Sequence, residues 1–423
     1  MRFIHAADIH LDSPLDGLSV YAGDSAGADD TIRRLRLASR EAFTALVSSA
    51  IELAVDFMVI AGDLYDGDWR DFNTGIFFVA QMGRLNAAGI PVFLLFGNHD
   101  ADSEMTRKLV LPPNVRIFSS EAAQTHRLDE LKVALHGRSF RVANTTENLV
   151  LGYPAAEPGW LNIGVLHTAM EGDAAHARYA PCTMADLAAR GYQYWALGHV
   201  HEYRIWQGPP VVAYPGNLQG RHARETGARG ALLVTAQNDR IVNTERLLVD
   251  VARWMVLEVD ASAAADVDAV VVQAGGAMQA LLAAAGHRLP MMLRVRVQGR
   301  CAAHGDLFRL EERLRADLVA QAMAIDPQRL WIEKVVLTEP AHSPQDLAAR
   351  SDALADLQQV LGEVDVDAAF KGRLAEELKR AVTALPAQAF ADHPELSEIR
   401  DGRIDTLLAR TLPALLAQLA RKA

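Results

Sequence analysis

The chain has 423 residues, of which 50% are hydrophobic and 22% are charged, so it is long enough for several domains and is not intrinsically disordered. Its formal net charge of -11 argues against a protein that coats nucleic acid through bulk positive charge, although it permits a local basic or metal-lined site. Only two cysteines are present, which excludes a disulfide scaffold and a thiolate zinc site, and the chain starts without an apolar leader, so we expect a cytoplasmic protein.

Short, continuous apolar runs in the first half of the chain predict strands that are buried on both faces of a sheet. The five runs are Phe3–Ala7, Phe57–Ala61, Val92–Phe96, Asn162–Leu166 and Tyr194–Leu197. Apolar residues at helical spacing predict helices over residues 31–54 and 71–88. The first of these helices would turn Arg33, Arg34, Arg36 and Arg40 toward solvent. We interpret residues 1–250 as one α/β domain.

Two further regions follow this domain. Residues 251–340 have the pattern strand, helix (262–285), strand, helix (304–322), strand, which predicts a small α+β domain. Prolines at 340 and 344 indicate a hinge, and residues 341–423 are rich in Ala, Leu and charged residues at helical spacing, which predicts a helical C-terminal region. Because no apolar run reaches the roughly 18 to 20 residues of a membrane span, we expect no association with a membrane.

Polar side chains follow each of the five predicted strands. They are Asp8 and His10, Asp63, Asn98 and His99, His167, and His199 and His201. Because sites in open α/β sheets form at the carboxyl ends of strands, we expect these side chains to converge. Carboxylate, amide and imidazole donors together suit a divalent ion such as Mn, Fe or Zn.

Without His99, the set still offers too many ligands for a single four-coordinate ion. Two ions about 3.5 to 4 Å apart would use them all if one carboxylate bridges the ions, and we assign that bridge to Asp63. Such a pair activates a water molecule and holds the attacking and departing oxygens of a phosphate ester. His99 then remains for a catalytic task, either to stabilise negative charge or to protonate the leaving oxygen.

The order of the motifs Asp-x-His, Gly-Asp-x-x-Asp, Gly-Asn-His-Asp, a strand-end His and Gly-His-x-His resembles that of the calcineurin-like metallophosphoesterases over about residues 1–217. Within them, the segments ADIHLDSP, GDLYDGD and YPGNLQGRH are similar to those of the bacterial SbcD/YhaO-type DNA repair exonucleases. The resemblance implies the α/β (α+β) metallophosphoesterase fold, a layered β-sandwich flanked by helices. A small α+β capping domain and a helical C-terminal segment would follow it.

The resemblance also implies a function for the strand-end residues. One ion would be held by Asp8, His10, Asp63 and His201, and the other by Asp63, Asn98, His167 and His199, with His99 as the catalytic residue. The implied activity is a metal-dependent DNA exonuclease in DNA repair, with Mn as the working ion and Fe or Zn as alternatives. The implied partners are DNA, an SbcC-like coiled-coil ATPase and a second copy of the chain.

Two other functions are compatible with the same motifs. The chain could be a phosphatase or small-nucleotide phosphodiesterase of the same superfamily, or mainly an assembly subunit for the ATPase. The capping domain and the helical region favour a polymeric substrate, because a small-molecule phosphatase needs neither. The complete ligand set argues against an assembly role alone.

Two further groups of polar residues lie near the motifs. The acidic group is Asp12, Asp66, Asp68 and Asp100, and the basic group is Arg221, His222, Arg224 and Arg229. Acidic loop residues usually cap turns or face water, and within this group Asp100 is the best candidate to fix the tautomer of a nearby histidine. The basic group either contacts phosphates or forms a solvated loop in which Arg224 and Glu225 make a surface pair.

Overall fold

The computed structural model describes residues 1–13, 37–65, 72–101, 109–170, 179–302, 304–338, 367–383, 394–400, 402–405 and 407–408. The chain divides into two compact units. The first unit comprises Met1–Met255 with Leu289–Met292, and the second comprises Val256–Arg288 with Leu293–Ala423.

The first unit contains two six-stranded sheets. The first sheet consists of β1 (Arg2–Ala6), β2 (Phe57–Ala61), β3 (Val92–Leu95), β4 (Val115–Ile117), β11 (Gly230–Gln237) and β12 (Arg240–Leu248), in the order β12-β11-β1-β2-β3-β4. Strands β1 to β4 are parallel, whereas β11 pairs antiparallel with β1 and with β12. The carboxyl ends of β1, β2 and β3 therefore lie side by side.

The second sheet has a similar parallel centre. It consists of β5 (Gln124–Leu128), β6 (Val133–Gly137), β7 (Leu161–His167), β8 (Tyr194–Gly198), β9 (Arg204–Trp206) and β10 (Val211–Tyr214), in the order β5-β6-β7-β8-β10-β9. Strands β6, β7, β8 and β10 are parallel, and β5 and β9 pair antiparallel at the two edges. Strands β7 and β8 thus also end together.

The two sheets pack face to face around an aromatic and aliphatic core. The Phe3 ring stacks on Phe57 with centroids 4.8 Å apart and meets Tyr194 of the second sheet edge-on at 5.5 Å. On the outer face of the first sheet, helices α1 (Ala38–Glu52) and α2 (Asn73–Ala87) bury Phe43 and Phe78. Because both faces of the central strands are covered, these strands are continuously apolar. The layered β-sandwich flanked by helices is confirmed.

Shorter elements complete the first unit, namely α3 (Asn98–Ala101), a 3-10 turn at Leu149–Gly152 and α4 (Met184–Ala189). Thr183 begins α4 with a capping box, in which its hydroxyl accepts the Asp186 N–H and the Asp186 carboxylate accepts the Thr183 N–H. The segment before Leu37 of the predicted first helix, with Arg33, Arg34 and Arg36, lies outside the described residues.

The second unit contains helices and most of a three-stranded sheet. The strands of this sheet are β13 (Arg253–Asp260), β14 (Met291–Gln298) and β15 (Leu330–Leu337), and the helices are α5 (Val267–Ala284), α6 (His304–Arg309) and α7 (Glu311–Ile325). Helix α5 begins later than predicted, because the Asp266 side chain accepts the Ala269 N–H as its N-cap. The single helix predicted over 304–322 is divided into α6 and α7. Farther along, α8 (Ala368–Thr383) contacts α9 (Pro394–Arg400), and the predicted proline hinge lies outside the described residues.

Helix α5 is long and apolar enough to span a membrane, so the expectation that no apolar run reaches this length was wrong. The same length and composition also occur in core helices of globular domains. Here Val270, Ala274 and Met278 are buried, and α5 packs closely on α7, because a Cβ at Gly275 would lie 2.4 Å from Gln321 Nε2. The contacts of α5 are therefore those of a helix packed on a neighbouring helix within the second unit.

Candidate metal centre

The structure brings together all eight strand-end residues that the sequence singled out. Asp8 and His10 follow β1, Asp63 follows β2, Asn98 and His99 follow β3, His167 ends β7, and His199 and His201 follow β8. Five strands from two sheets therefore deliver one cluster of side chains, because the parallel strands of each sheet end at the same edge.

The backbone at this cluster adopts an unusual conformation. Asp8, His10, Asp63 and His199 have φ values of 50°, 45°, 51° and 98°, in the left-handed region that residues with a Cβ rarely adopt. Each such residue costs on the order of 1–2 kcal/mol, and the surrounding structure must hold it in place. Strain of this kind, concentrated in four residues at three strand ends, is typical of a functional site.

Donor atoms fall into three overlapping groups, and within each group one atom from every residue lies within 4.8 Å of the others. The groups are Asp8 with His10 and His201, His10 with Asp63 and His99, and Asp63 with His167 and His199. Asp63 and His10 each occur in two groups. The carboxylate of Asp63 therefore lies next to two different sets of imidazole donors.

His167 shows that these residues fit a cation. Its Nδ1 donates to the carbonyl oxygen of Ala61 at 3.0 Å, so Nε2 faces Asn98 Oδ1 at 3.0 Å and Asp63 Oδ2 at 3.3 Å. Three acceptor atoms converge there, and their lone pairs repel each other unless a proton or a metal ion lies between them. Burial lowers the pKa of His167, but the carboxylates of Asp63 and Asp8 outweigh that effect and raise it to about 9.

His201 shows the same arrangement on the other side of the cluster. Its Nδ1 donates to Glu225 Oε1 at 2.7 Å, which directs Nε2 toward His10 Nε2 at 3.1 Å and Asp8 Oδ1 at 3.9 Å. Burial opposes ionisation of Glu225, but Arg221 and His201 hold its pKa well below the usual range. The tautomer of His201 is therefore set by a buried carboxylate.

Asp63 is ionised despite being buried. Burial raises its pKa, but the neighbouring imidazoles of His167 and His99 outweigh this effect and hold the pKa well below its usual value. The His99 N–H donates to Asp63 Oδ1 at 3.1 Å and fixes the orientation of the carboxylate.

Close packing of glycines allows the strand ends to converge. A Cβ at Gly97 would lie 2.3 Å from Asp63 Oδ1, and one at Gly198 would lie 2.0 Å from the carbonyl oxygen of Ala61. Any larger residue at either position would push the loops after β2, β3 and β8 apart.

His99 differs from His10 and His167, which also lie close to Asp63. Its side chain is 15% exposed, whereas those of His10 and His167 are fully buried. His99 Nε2 lies 4.0 Å from Asp63 Oδ2, and its ring meets His10 edge-on with centroids 5.0 Å apart. His99 is thus at the solvent side of the cluster, where a substrate can reach it.

Asp100 does not pair with a histidine as expected. Its buried carboxylate accepts the backbone N–H groups of Leu64, Tyr65 and Gly97 at 3.0 to 3.2 Å, so it joins the loop after β2 to the loop after β3. Burial and the charge of Asp63 raise the pKa of Asp100 to about 6 against the effect of these bonds. Its role in the structure is to anchor two loops that carry candidate ligands.

Arg40 was predicted to face solvent, and Arg229 either to contact phosphates or to lie in a solvated loop, but both are tied to other parts of the protein. Arg40 makes a two-pronged ion pair with Asp12, so it joins α1 to the loop after β1 and does not simply face solvent. Arg229 is buried and donates to Asn217 Oδ1 at 3.0 Å and to the carbonyl oxygens of His201 and Thr226. The guanidinium of Arg229 therefore has protein acceptors and needs no phosphate to bind. Asp66 and Asp68 lie outside the described residues.

Sequence reasoning missed the importance of Glu225. The expected alternative, an Arg224–Glu225 surface pair, was wrong, because Glu225 is only 5% exposed and contacts His201 and Arg221. A single acid among Arg221, His222, Arg224 and Arg229 was the available signal. Tyr179 was also missed, and its ring lies 5.1 Å from that of His199.

Two known protein family models match the sequence of this chain. Residues 1–203 match the model of the calcineurin-like phosphoesterases, and residues 254–338 match that of the middle domain of the metallophosphoesterase YhaO. Residues 1–203 are thus similar to a calcineurin-like phosphoesterase domain. Such a domain implies hydrolysis of phosphoesters, and the matched range includes all eight clustered residues.

Relatives of the chain include phosphoesterases and DNA repair proteins. It is 35% identical over 245 residues to the uncharacterized metallophosphoesterase YhaO of Bacillus subtilis, covering 57% of this chain and 59% of the relative. It is 25% identical to the DNA double-strand break repair protein Mre11 of Methanopyrus kandleri, covering 60% and 58%. The chain thus spans less than two thirds of either relative. A dimetal phosphatase from Danio rerio is a structural neighbour with a TM-score of 0.36 and 13% identity, covering 59% of this chain and 98% of that one.

Proposed function

We propose that this phosphoesterase is a metal-dependent DNA exonuclease that hydrolyses phosphodiester bonds with two divalent ions and acts in DNA repair. The observation that carries the proposal is the convergence of carboxylate, amide and imidazole donors from five strand ends, with Asp63 in two of the three overlapping donor groups. Similarity to a protein named for DNA double-strand break repair supports DNA as the substrate.

The donor groups divide between two ion positions. Asp8, His10, Asp63 and His201 would hold one ion, and Asp63, Asn98, His167 and His199 would hold the other. When bound, the ions supply the positive charge and the Lewis acidity that hydrolysis of a phosphodiester needs. The mixed oxygen and nitrogen donors suit Mn, with Fe or Zn as alternatives.

His99 would be the catalytic residue. Its ring lies at the exposed side of the donor cluster, so Nε2 can donate to a phosphate oxygen or pass a proton to the departing sugar oxygen. The backbone N–H of the same residue holds Asp63, so His99 joins the substrate side of the site to the bridging carboxylate. General acid catalysis of this kind contributes about 10²- to 10⁴-fold to a rate.

The remaining chain would enlarge the substrate-binding surface and bind partners. The match of residues 254–338 to a YhaO middle domain supports a capping domain over about residues 251–340. We further propose that the helical region over 341–423 binds an SbcC-like coiled-coil ATPase and that two copies of the chain associate. A cytoplasmic location fits this function.

The test is hydrolysis by the full chain with Mn, measured on end-labelled duplex and single-stranded DNA, an aryl phosphodiester and a phosphomonoester. We expect DNA to be shortened from its ends, and His99→Ala to reduce the rate at least 100-fold while its metal content is retained. His287→Ala in the second unit is the matched control and should leave the rate unchanged. If only the small esters are hydrolysed, and this does not change when an SbcC-like ATPase is added, the chain is instead a phosphatase or small-nucleotide phosphodiesterase.

A further inference from the structure

Glu225 is a buried carboxylate in the loop that follows β10. Oε1 accepts from His201 Nδ1 at 2.7 Å, and Oε2 accepts the Arg221 N–H at 2.7 Å and Asn217 Nδ2 at 2.9 Å. The guanidinium of Arg221 lies 3.4 Å from Oε1, and His222 Nε2 lies 3.6 Å away. Both oxygens are thus occupied by donors, which fixes the carboxylate in one orientation.

This orientation determines how His201 presents its ring. Because a carboxylate only accepts hydrogen bonds, Nδ1 of His201 must carry a proton, and in the neutral ring Nε2 must then be an acceptor. That Nε2 atom faces Asp8 Oδ1 and His10 Nε2. Glu225 therefore selects the tautomer that can ligate an ion.

The same loop also holds the backbone of His201. The N–H of Asn217 donates to the carbonyl oxygen of His201 at 3.2 Å, and Arg229 donates to that oxygen as well. Gly216 has a φ of 79°, and a Cβ there would lie 2.7 Å from the same oxygen. The loop after β10 is thus packed directly on this residue, and Glu225 makes its shortest contact with the imidazole, at 2.7 Å against 3.5 Å for Arg221 Nη2.

We propose that Glu225 is a positioning residue that sets the occupancy of the ion position formed by Asp8, His10, Asp63 and His201. The inference rests on the proposed two-ion function but goes beyond it, because it assigns control of one ion to a residue that touches neither ion nor substrate. Loss of a carboxylate that orients a ligating histidine weakens metal binding by about 10- to 100-fold. The position formed by Asn98, His167 and His199 should keep its affinity.

The variant to test is Glu225→Gln, and Glu202→Gln is its matched control, because Glu202 adjoins His201 in sequence but is exposed and pairs with Arg204. Titration of the full-length apo chains with Mn should give two ions for the wild type and the control. We expect Glu225→Gln to bind one ion with wild-type affinity and the second about 10- to 100-fold more weakly. If the wild type and Glu225→Gln both bind two ions with the same affinities, the inference is overturned but the proposed function is not. A wild type that binds fewer than two would overturn the proposed function and the inference together.

Two further measurements separate positioning from general support of the fold. In a His201→Gln background, Glu225→Gln should have no additional effect on metal affinity, and an equal further loss would contradict action through His201. In the wild-type chain loaded with Zn²⁺, nitrogen NMR of the histidine rings should show His201 protonated at Nδ1. Protonation at Nε2 would overturn the inference, even if the variant fails to fold.

Discussion

His10 and His201 face each other across the two sheets, with their Nε2 atoms 3.1 Å apart. His10 follows β1 of the first sheet and His201 follows β8 of the second, so this contact joins the two layers of the sandwich at the site. Because His201 Nδ1 donates its proton to Glu225, Nε2 of the neutral ring carries a lone pair that faces His10 Nε2. A shared proton or a nearby cation must therefore relieve the repulsion between the two Nε2 atoms.

Metal removal should therefore weaken the fold as well as abolish activity. We expect chelation with EDTA to lower the melting temperature and Mn to restore it, because an ion that binds only the folded state adds about 2.7 kcal/mol at one hundred times its Kd. Scanning calorimetry with and without Mn is the measurement. The Asp63→Asn variant should show a much smaller shift, and an equal shift would contradict the role of Asp63 as a shared ligand.

Gly97→Ala should damage the site, because its Cβ would lie 2.3 Å from Asp63 Oδ1 and 2.8 Å from the Asp63 backbone nitrogen. We expect loss of bound metal and at least a 100-fold lower rate, since a displacement of about 1 Å can cost that much. Gly83→Ala is the control, because Gly83 lies within α2 and no atom lies within 4 Å of a Cβ there. That change should raise stability by about 0.5–1 kcal/mol. Metal analysis and denaturant titration compare the two, and a fully metal-loaded Gly97→Ala enzyme would refute the expectation.

Asp100→Asn should loosen the two loops that carry Asp63 and Asn98. An amide group cannot accept hydrogen bonds through its nitrogen, so one or more buried N–H groups among Leu64, Tyr65 and Gly97 would lose their acceptor. We expect a loss of about 3 kcal/mol in unfolding free energy at pH 8. Denaturant titration measures it, and Asp239→Asn in the exposed β11–β12 turn should change stability little. Equal stability of the two variants would show that Asp100 does not anchor the loops.

His5 should make stability depend on pH. Its Nε2 donates to the carbonyl oxygen of Leu197 and its Nδ1 accepts from the Tyr194 hydroxyl, so the neutral ring is satisfied, and burial lowers its pKa to about 3. The unfolded chain binds the proton from about pH 6.5 downward, whereas the folded chain does so only near pH 3, so stability is lost as the pH falls through this window.

We expect the advantage of the wild type over His5→Gln to shrink by about 2 kcal/mol between pH 8 and pH 5, because the unfolded wild type alone gains this proton. Denaturant titrations of both chains at the two pH values measure the difference. A constant difference would mean that His5 has the same pKa in the folded and the unfolded protein.

The clustering of the candidate ligands could be predicted because each follows an apolar run that encodes a buried strand. Asp8 and His167 illustrate this rule, since both stand where a continuous apolar run gives way to a polar residue. Parallel pairing then brings the strand ends together, so no contact information was needed to group them. The role of His99 is still a prediction that the experiments above test.

Glu225 and Asp100 show where such reasoning fails. The burial of Glu225 depends on a loop that folds back onto His201, and Asp100 binds backbone groups that lie 35 and 36 residues earlier in the chain. Neither contact leaves a local pattern, because both depend on tertiary packing. The start of α5 was predicted too early because residues 262–266 also have a composition compatible with a helix. In the structure Asp266 is the N-cap, so the helix begins at Val267.

The pairing of β1 with β11 constrains the order in which the protein can mature during synthesis. β1 is made first, yet its antiparallel neighbour ends at Gln237, and the loop that holds His201 reaches Arg229. A nascent chain therefore cannot close its first sheet or order His201 until more than half of the sequence has left the ribosome. Assembly of the donor cluster is thus delayed until residues 1–237 have been translated, and shorter nascent chains should not bind Mn.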